Sequence, residues 1–288
     1  MNLKMFLPGI KQNIFSLLIS LLMIVCGNAF AQEILWDNPK TFAGRQDSRF
    51  PRVVSLGSES VVFWQEVDSS KGEIYLSCTY QNQSREWIVN SRFAGPFKFS
   101  GEVPDIYYPC ANGNTICVSV SCNSNTVEIY KSVDKGETFS IPQRIVSKNP
   151  MVSPRVFSSR NGSYLLFTSI AEDVSSMQGE LEQTGYFQSR KYFMYFSSSA
   201  DGVSWTDLQR FAPSDNLVNP FVPVLTRTDK FEVLAFRASK ESPPSYKIYG
   251  CFRDLSSQSW SEPVLLSNSD ALDLQDQSPN LIRYQNNV

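Results

Sequence analysis

The sequence predicts an all-β chain built from repeated four-stranded units, and three observations predict it. Aromatic residues, each followed by a short apolar strand, recur at Trp36, Trp87, Phe139, Trp205 and Trp260. Prolines that open apolar strands recur at Pro51, Pro104, Pro154, Pro220 and Pro279. The two marks alternate. A proline follows each aromatic after 15, 17, 15, 15 and 19 residues, and the next aromatic follows each proline after 36, 35, 51 and 40. A repeat of this length holds four short strands, too few to bury both faces of their own sheet, so neighbouring units must stack.

The chain opens with an export signal over residues 1–31. Lys4 and Lys11 supply positive charge, an apolar run extends from Ile14 to Val25, and Ala29-Phe30-Ala31 fits the small-x-small cleavage pattern. The mature chain is then one domain, residues 32–288, expected to be secreted, periplasmic or held at the cell surface. Val25 precedes Cys26 where lipoprotein processing would need a small residue. No later segment is long and apolar enough to span a membrane as a helix.

Within each unit the strands are read from β-branched and aromatic runs. In the third unit they are Pro154–Phe157, then Ser163–Thr168 after the turn pair Asn161-Gly162, then Tyr192–Phe196, with a fourth starting at Trp205. The second unit repeats this with Asn112-Gly113 at its first turn. Proline belongs at strand starts and on edges, where its missing N–H is not needed. The turn before the fourth strand carries the most specific pattern: Ser132-x-Asp134-x-Gly136-x-x-Phe139. Ser198, Asp201, Gly202 and Trp205 repeat it with Ala200 in the aspartate position. Tyr80 to Trp87 and Arg253 to Trp260 keep the spacing without the polar residues. Serine and aspartate side chains bond the turn backbone, glycine takes the left-handed position, and the aromatic anchors the turn, so the pattern is a folding device.

Cysteine and histidine usage excludes whole classes of chemistry. Cys78, Cys110, Cys117, Cys122 and Cys251 are an odd set, which no disulfide framework uses up. Cys78 and Cys251 fall on core positions of the repeat; Cys110 and Cys117 flank a hairpin turn. The chain has no histidine, which removes Ser-His-Asp triads, Cys-His dyads and histidine metal sites. No glycine-rich phosphate loop and no basic stripe is present, so no cofactor, no metal and no nucleic acid is expected. Catalysis would have to run on carboxylates, tyrosine, arginine or serine.

The repeat and its Ser-Asp turns resemble the Asp-box (BNR) repeats of sialidase-like β-propellers, over nearly all of the mature chain. That resemblance implies four complete four-stranded blades, with a leading outer strand at Trp36–Phe42 and a trailing inner strand at Pro279–Tyr284. The expected whole is an incomplete six-bladed ring, with coding sequence continuing past Val288. It also implies a site on the face that holds the fourth-to-first and second-to-third connections. There Ser48-Arg49-Phe50-Pro51 resembles the Arg-Ile-Pro motif, making Arg49 the first arginine gripping a substrate carboxylate. Arg237 would be a second, and Glu66 or Asp68 the acid/base. The family's tyrosine nucleophile and its glutamate partner mostly lie beyond this chain's end. The inflated connection of the third unit carries Glu172, Asp173, Glu180, Glu182 and Tyr186, of which Tyr186 is a candidate for substrate binding. Tyr107 and Tyr108 are aromatics that could stack on sugars, core packing being the expected fate of most. The segment Phe63-Trp64-Gln65-Glu66-Val67 departs from the family's Ala-Glu/Asp-x-Arg pattern. The expected function is therefore a secreted module binding a glycan or an extracellular protein. The alternative is an exo-sialidase-type glycoside hydrolase, which needs no histidine.

Overall fold

The computed structural model describes residues 47–81, 86–173, 190–240, 246–256 and 259–267, with Pro279 and Leu281. The segments expected to form the export signal and the leading strand, and Tyr186, lie outside the described residues, as does the expected trailing strand apart from Pro279 and Leu281.

Four antiparallel sheets follow one another, each of four consecutive strands paired in chain order. The first holds β1 (Ser48–Leu56), β2 (Glu59–Asp68), β3 (Glu73–Gln81) and β4 (Trp87–Lys98). The second holds β5 (Tyr107–Asn112), β6 (Thr115–Asn123), β7 (Thr126–Ser132) and β8 (Gln143–Val146). The third holds β9 (Met151–Ser158), β10 (Tyr164–Asp173), β11 (Arg190–Ser199) and β12 (Gln209–Arg210). The fourth holds β13 (Val218–Arg227), β14 (Phe231–Ser239), β15 (Lys247–Asp254) and β16 (Val264–Leu265). The first strands touch in succession, β1 with β5, β5 with β9 and β9 with β13. They form the inner lining, as in the blades of a β-propeller.

Apolar side chains fill the space between successive sheets. Phe63, Leu76 and Cys78 of the first sheet pack on Ile116 and Val118 of the second. Val127 and Ile129 pack with Val156 and Leu166. Phe167 and Met194 pack with Leu234 and Phe236. Cys78 and Cys251 are fully buried, and burial pushes both thiols up to about 12. Cys110 and Cys117 stand directly opposite each other across β5 and β6, both as free thiols.

Three local expectations need correction. The β5–β6 turn centres on Gly113-Asn114, one residue later than expected, because Asn112 already pairs with Thr115. Gly113 takes φ 58° at the first central position, which a type II′ turn requires. The outer strand of the third sheet starts at Gln209, not at Trp205; the indole belongs to the turn. The serine of that turn is Ser199, not Ser198. Ser132 Oγ receives the Gly136 N–H at 2.8 Å, and Ser199 Oγ receives the Gly202 N–H at 2.8 Å. Asp134 accepts from Thr138, and Asp201 from the N–H groups of Val203 and Ser204. The third sheet's turn is one residue shorter, so the same geometry starts one position later.

Each of these turns docks on the preceding sheet. Cys78 Sγ donates to Gly136 O at 3.6 Å, and Phe139 stacks on Phe93 with ring centroids 4.1 Å apart. Gly202 lies against Cys117 and Tyr164, and Lys131 Nζ donates to Asp201 O at 2.6 Å.

Candidate functional site

The repeat proline marks a β-bulge on the inner strand. In β1, Arg49 pairs with Gln65 and Arg52 with Phe63, so Phe50 and Pro51 stand against the single residue Trp64. In β9, Val152 pairs with Ser169 and Arg155 with Phe167. In β13, Val218 pairs with Ser239 and Phe221 with Arg237. The residue before the proline is left-handed each time: Phe50 at φ 53°, Ser153 at 52° and Asn219 at 54°. Such a conformation costs a residue other than glycine about 1–3 kcal/mol and persists only where its surroundings over-determine it. A bulge of this kind re-aims the side chain that follows. The residues after these prolines are Arg52, Arg155 and Phe221, and Asp105 follows Pro104 in the same place of the repeat, just before β5.

A polar side chain from the preceding sheet grips the main chain beside these residues. Gln65 Nε2 donates to Pro104 O at 2.9 Å and its Oε1 accepts the Ile106 N–H at 2.9 Å, bracketing Asp105. Ser119 Oγ donates to Pro154 O at 3.2 Å and accepts the Val156 N–H at 3.2 Å, bracketing Arg155. Ser169 Oγ donates to Pro220 O, next to Phe221. All three side chains are fully buried. At Pro154 and Pro220 the clamps satisfy backbone groups that a bulge would otherwise orphan, and at Pro104 they fix the approach to β5.

Arg52, Asp105 and Arg155 meet with Tyr107 and Tyr108 around a cavity of about 260 Å³. Asp105 belongs to the connection from β4 to β5, on the face where the site was expected. Arg52 forms an ion pair with Asp105. Its guanidinium also lies 5.4 Å from the Tyr107 ring centroid and 5.0 Å from that of Tyr108. Arg155 lies 4.7 Å from the Tyr108 centroid and donates from Nη1 to Pro223 O at 3.1 Å. One aromatic ring is thus flanked by two cations. Tyr107 is fixed by a 2.6 Å bond from its hydroxyl to Phe50 O. Among the described residues the Tyr108 hydroxyl has no partner, Arg155 has no ion pair, and the buried Arg52 Nε is unbonded.

The electrostatics follow from two cations and one anion in a confined space. Burial raises the carboxyl of Asp105, with Arg52 and Arg155 pulling it back. The Asp105 side chain still keeps 35% of its surface accessible. Burial lowers the guanidinium of Arg155 and raises the phenol of Tyr108. A ligand carboxylate entering here meets donors on two sides and a formal charge of +1.

The residues expected from the sequence are not gathered at this cavity. Arg49 is exposed and pairs with Asp47 at 2.7 Å. Glu66 points away from the second sheet, accepting from Arg92 Nε at 2.8 Å and Ser77 Oγ at 3.0 Å. Asp68 caps its own turn, accepting from Ser70 Oγ at 2.6 Å; that bond and Lys71 hold its carboxyl low. Arg237 stacks on Tyr246 and Phe221 and does not meet Arg49. Glu172 is held by Arg210 and Tyr195. The signal that would have found Arg52, Asp105 and Arg155 is their shared place directly after the repeat proline. Among the described residues no group of three or more acidic or cysteine side chains is placed to hold a metal.

No protein-family model and no curated protein matches this chain. Several solved structures resemble it in arrangement. An exo-1,5-alpha-L-arabinanase from a bovine ruminal metagenomic library shares 8% identity over 77% of this chain and 79% of its own, with a TM-score of 0.46. An alpha-L-arabinofuranosidase from Fusarium graminearum shares 13% over 75% and 64%, with a TM-score of 0.44. A Trypanosoma rangeli sialidase in complex with sialic acid shares 13% over 75% and 37%, with a TM-score of 0.43. This chain spans less than two thirds of the latter two.

Proposed function

We propose that the chain is a secreted binding module whose inner cavity takes the carboxylate of an acidic glycan. The observation that carries this reading is the convergence of Arg52 and Arg155 on one cavity that holds a single carboxylate. A guanidinium is a planar fork of donors matched to a carboxylate; here Arg155 is held by the Tyr108 ring and the Pro223 carbonyl, and Arg52 by the Tyr107 and Tyr108 rings and Asp105. The small volume suits one terminal acidic residue and not a long chain. The test is calorimetric titration with N-acetylneuraminic acid and galacturonic acid, against neutral galactose. The acids are expected to bind and galactose not. Arg155→Gln should weaken the acids by at least about tenfold, since a charged hydrogen bond contributes about 1.5–3 kcal/mol. Equal binding of acid and neutral sugar, or an unaffected Arg155→Gln, refutes the reading.

A second reading, hydrolysis of an acidic glycoside, is favoured by the raised carboxyl of Asp105, a property suited to a general acid. Release of a fluorogenic sialoside, abolished by Asp105→Asn, would establish it in place of binding.

A further inference from the structure

Beside the cavity, three aromatic rings form a partly exposed corner. Tyr192 of β11 lies 5.3 Å from Phe221 of β13 at 63° between ring planes, and Phe221 lies 6.2 Å from Tyr246 at 45°. The guanidinium of Arg237 sits 4.5 Å from the Tyr246 centroid and 5.7 Å from that of Phe221. All four residues are half-buried. Three polar features have no use inside the fold. The hydroxyls of Tyr192 and Tyr246 have no partner among the described residues, and the buried Nε of Arg237 has none. Arg237 also forms no ion pair with any described residue.

The corner and the cavity share one wall. Phe221 belongs to the corner, Val222 lines the cavity, and the carbonyl of Pro223 holds Arg155. These are three consecutive residues of one strand, so the two features lie side by side. The tilted rings do not form the parallel slot that would sandwich a flat aromatic on both faces. They offer a half-buried apolar surface that carries two unpartnered hydroxyls and one more cation, which suits a puckered ring bearing hydroxyl groups.

We infer that Tyr192, Phe221, Tyr246 and Arg237 form a second subsite, which stacks the pyranose ring adjoining the one whose carboxylate enters the inner cavity. The ligand is accordingly an acidic oligosaccharide and not a free sugar acid. This rests on the binding function proposed for the cavity.

The experiment titrates galacturonic acid and digalacturonic acid into the full chain and into Tyr192→Leu, Tyr246→Leu and Arg155→Gln variants. Leucine keeps the apolar bulk and removes the flat face, and a thermal melt of each variant checks folding. The dimer is expected to bind at least about tenfold more tightly than the monomer, through the apolar face of the second ring that the tyrosines cover. Both leucine variants should erase that gain while leaving the monomer unchanged, and Arg155→Gln should weaken both sugars. A dimer no tighter than the monomer overturns the subsite and leaves the cavity reading standing. So does a gain that survives both tyrosine substitutions, or benzoate binding more tightly than the dimer. Binding of neither sugar overturns the cavity reading and the subsite with it.

Discussion

Replacing Gln65 with leucine tests the inter-sheet clamp directly. The side chain is fully buried and makes two 2.9 Å bonds, to Pro104 O and from the Ile106 N–H. Leucine preserves most of the volume, so cavity formation contributes little and the loss is polar. Two backbone groups are left without partners. Each such group costs about 1–3 kcal/mol when buried, and the Pro104 carbonyl, being only partly buried, belongs at the low end. The expected destabilisation is about 2–4 kcal/mol, a large share of the roughly 5–15 kcal/mol that holds a domain folded. Urea denaturation followed by tryptophan fluorescence should show a lower midpoint at unchanged slope. Gln143→Leu, at an exposed position of β8, serves as the control and should stay within about 0.5 kcal/mol of the parent. A Gln65→Leu protein that also stays within that margin refutes the clamp as a stabilising device.

Two further outcomes follow from the turns and the cavity. Gly202→Ala should cost about 1–3 kcal/mol more than Gly113→Ala in thermal melts. Both glycines have positive φ, but a Cβ at Gly202 would sit 2.9 Å from Cys117 Sγ, whereas Gly113 faces open space. Equal losses would show that the turn does not seat against the second sheet. The pH response has two opposite signs. Asp201 is held down to about 2 by the Ser204 and Val203 N–H groups, so its contribution is present above the ordinary aspartate value of 3.8 and lost as pH falls toward 2. Asp201→Asn should flatten acid unfolding in that window. The Asp105 carboxyl is raised by burial, so its stabilisation is full below 3.8 and lost as pH rises through its folded value. Over the same range protonation releases Arg52, the cavity goes from +1 to +2, and galacturonate should bind more tightly while it stays ionised. Asp105→Asn should abolish that pH dependence, as read by calorimetry.

The repeat was legible because its marks are backbone requirements. Proline at the bulge, glycine in the turn and an aromatic under the turn each have few substitutes, so Pro51, Gly136 and Phe139 stand out in sequence. The grouping of strands into consecutive sets of four follows from them. The cavity was less legible because a bulge breaks the alternation from which strand faces are read. Counting by twos from Arg49 passes to Pro51 and misses Arg52, which the extra residue turns inward. Arg49 precedes the proline as in the resembling motif, yet with Asp47 two residues away it finds a local ion pair at the surface. Ser198 was misread for a related reason: a one-residue shortening before the turn moves the role to Ser199, and spacing alone weighs both serines equally. The corner formed by Tyr192, Phe221 and Tyr246 joins residues of β11 and β13 with the position just before β15, in two sheets, a proximity no local pattern encodes.

The clamps hold only main-chain atoms. Gln65 and Ser119 grip the carbonyl before and the amide after Asp105 and Arg155. Whatever residue occupies that slot, the same frame holds its main chain in place. Substitution there changes what the cavity recognises while the main-chain clamps stay in place. A scaffold wired in this way lets selection rewrite its ligand one letter per blade.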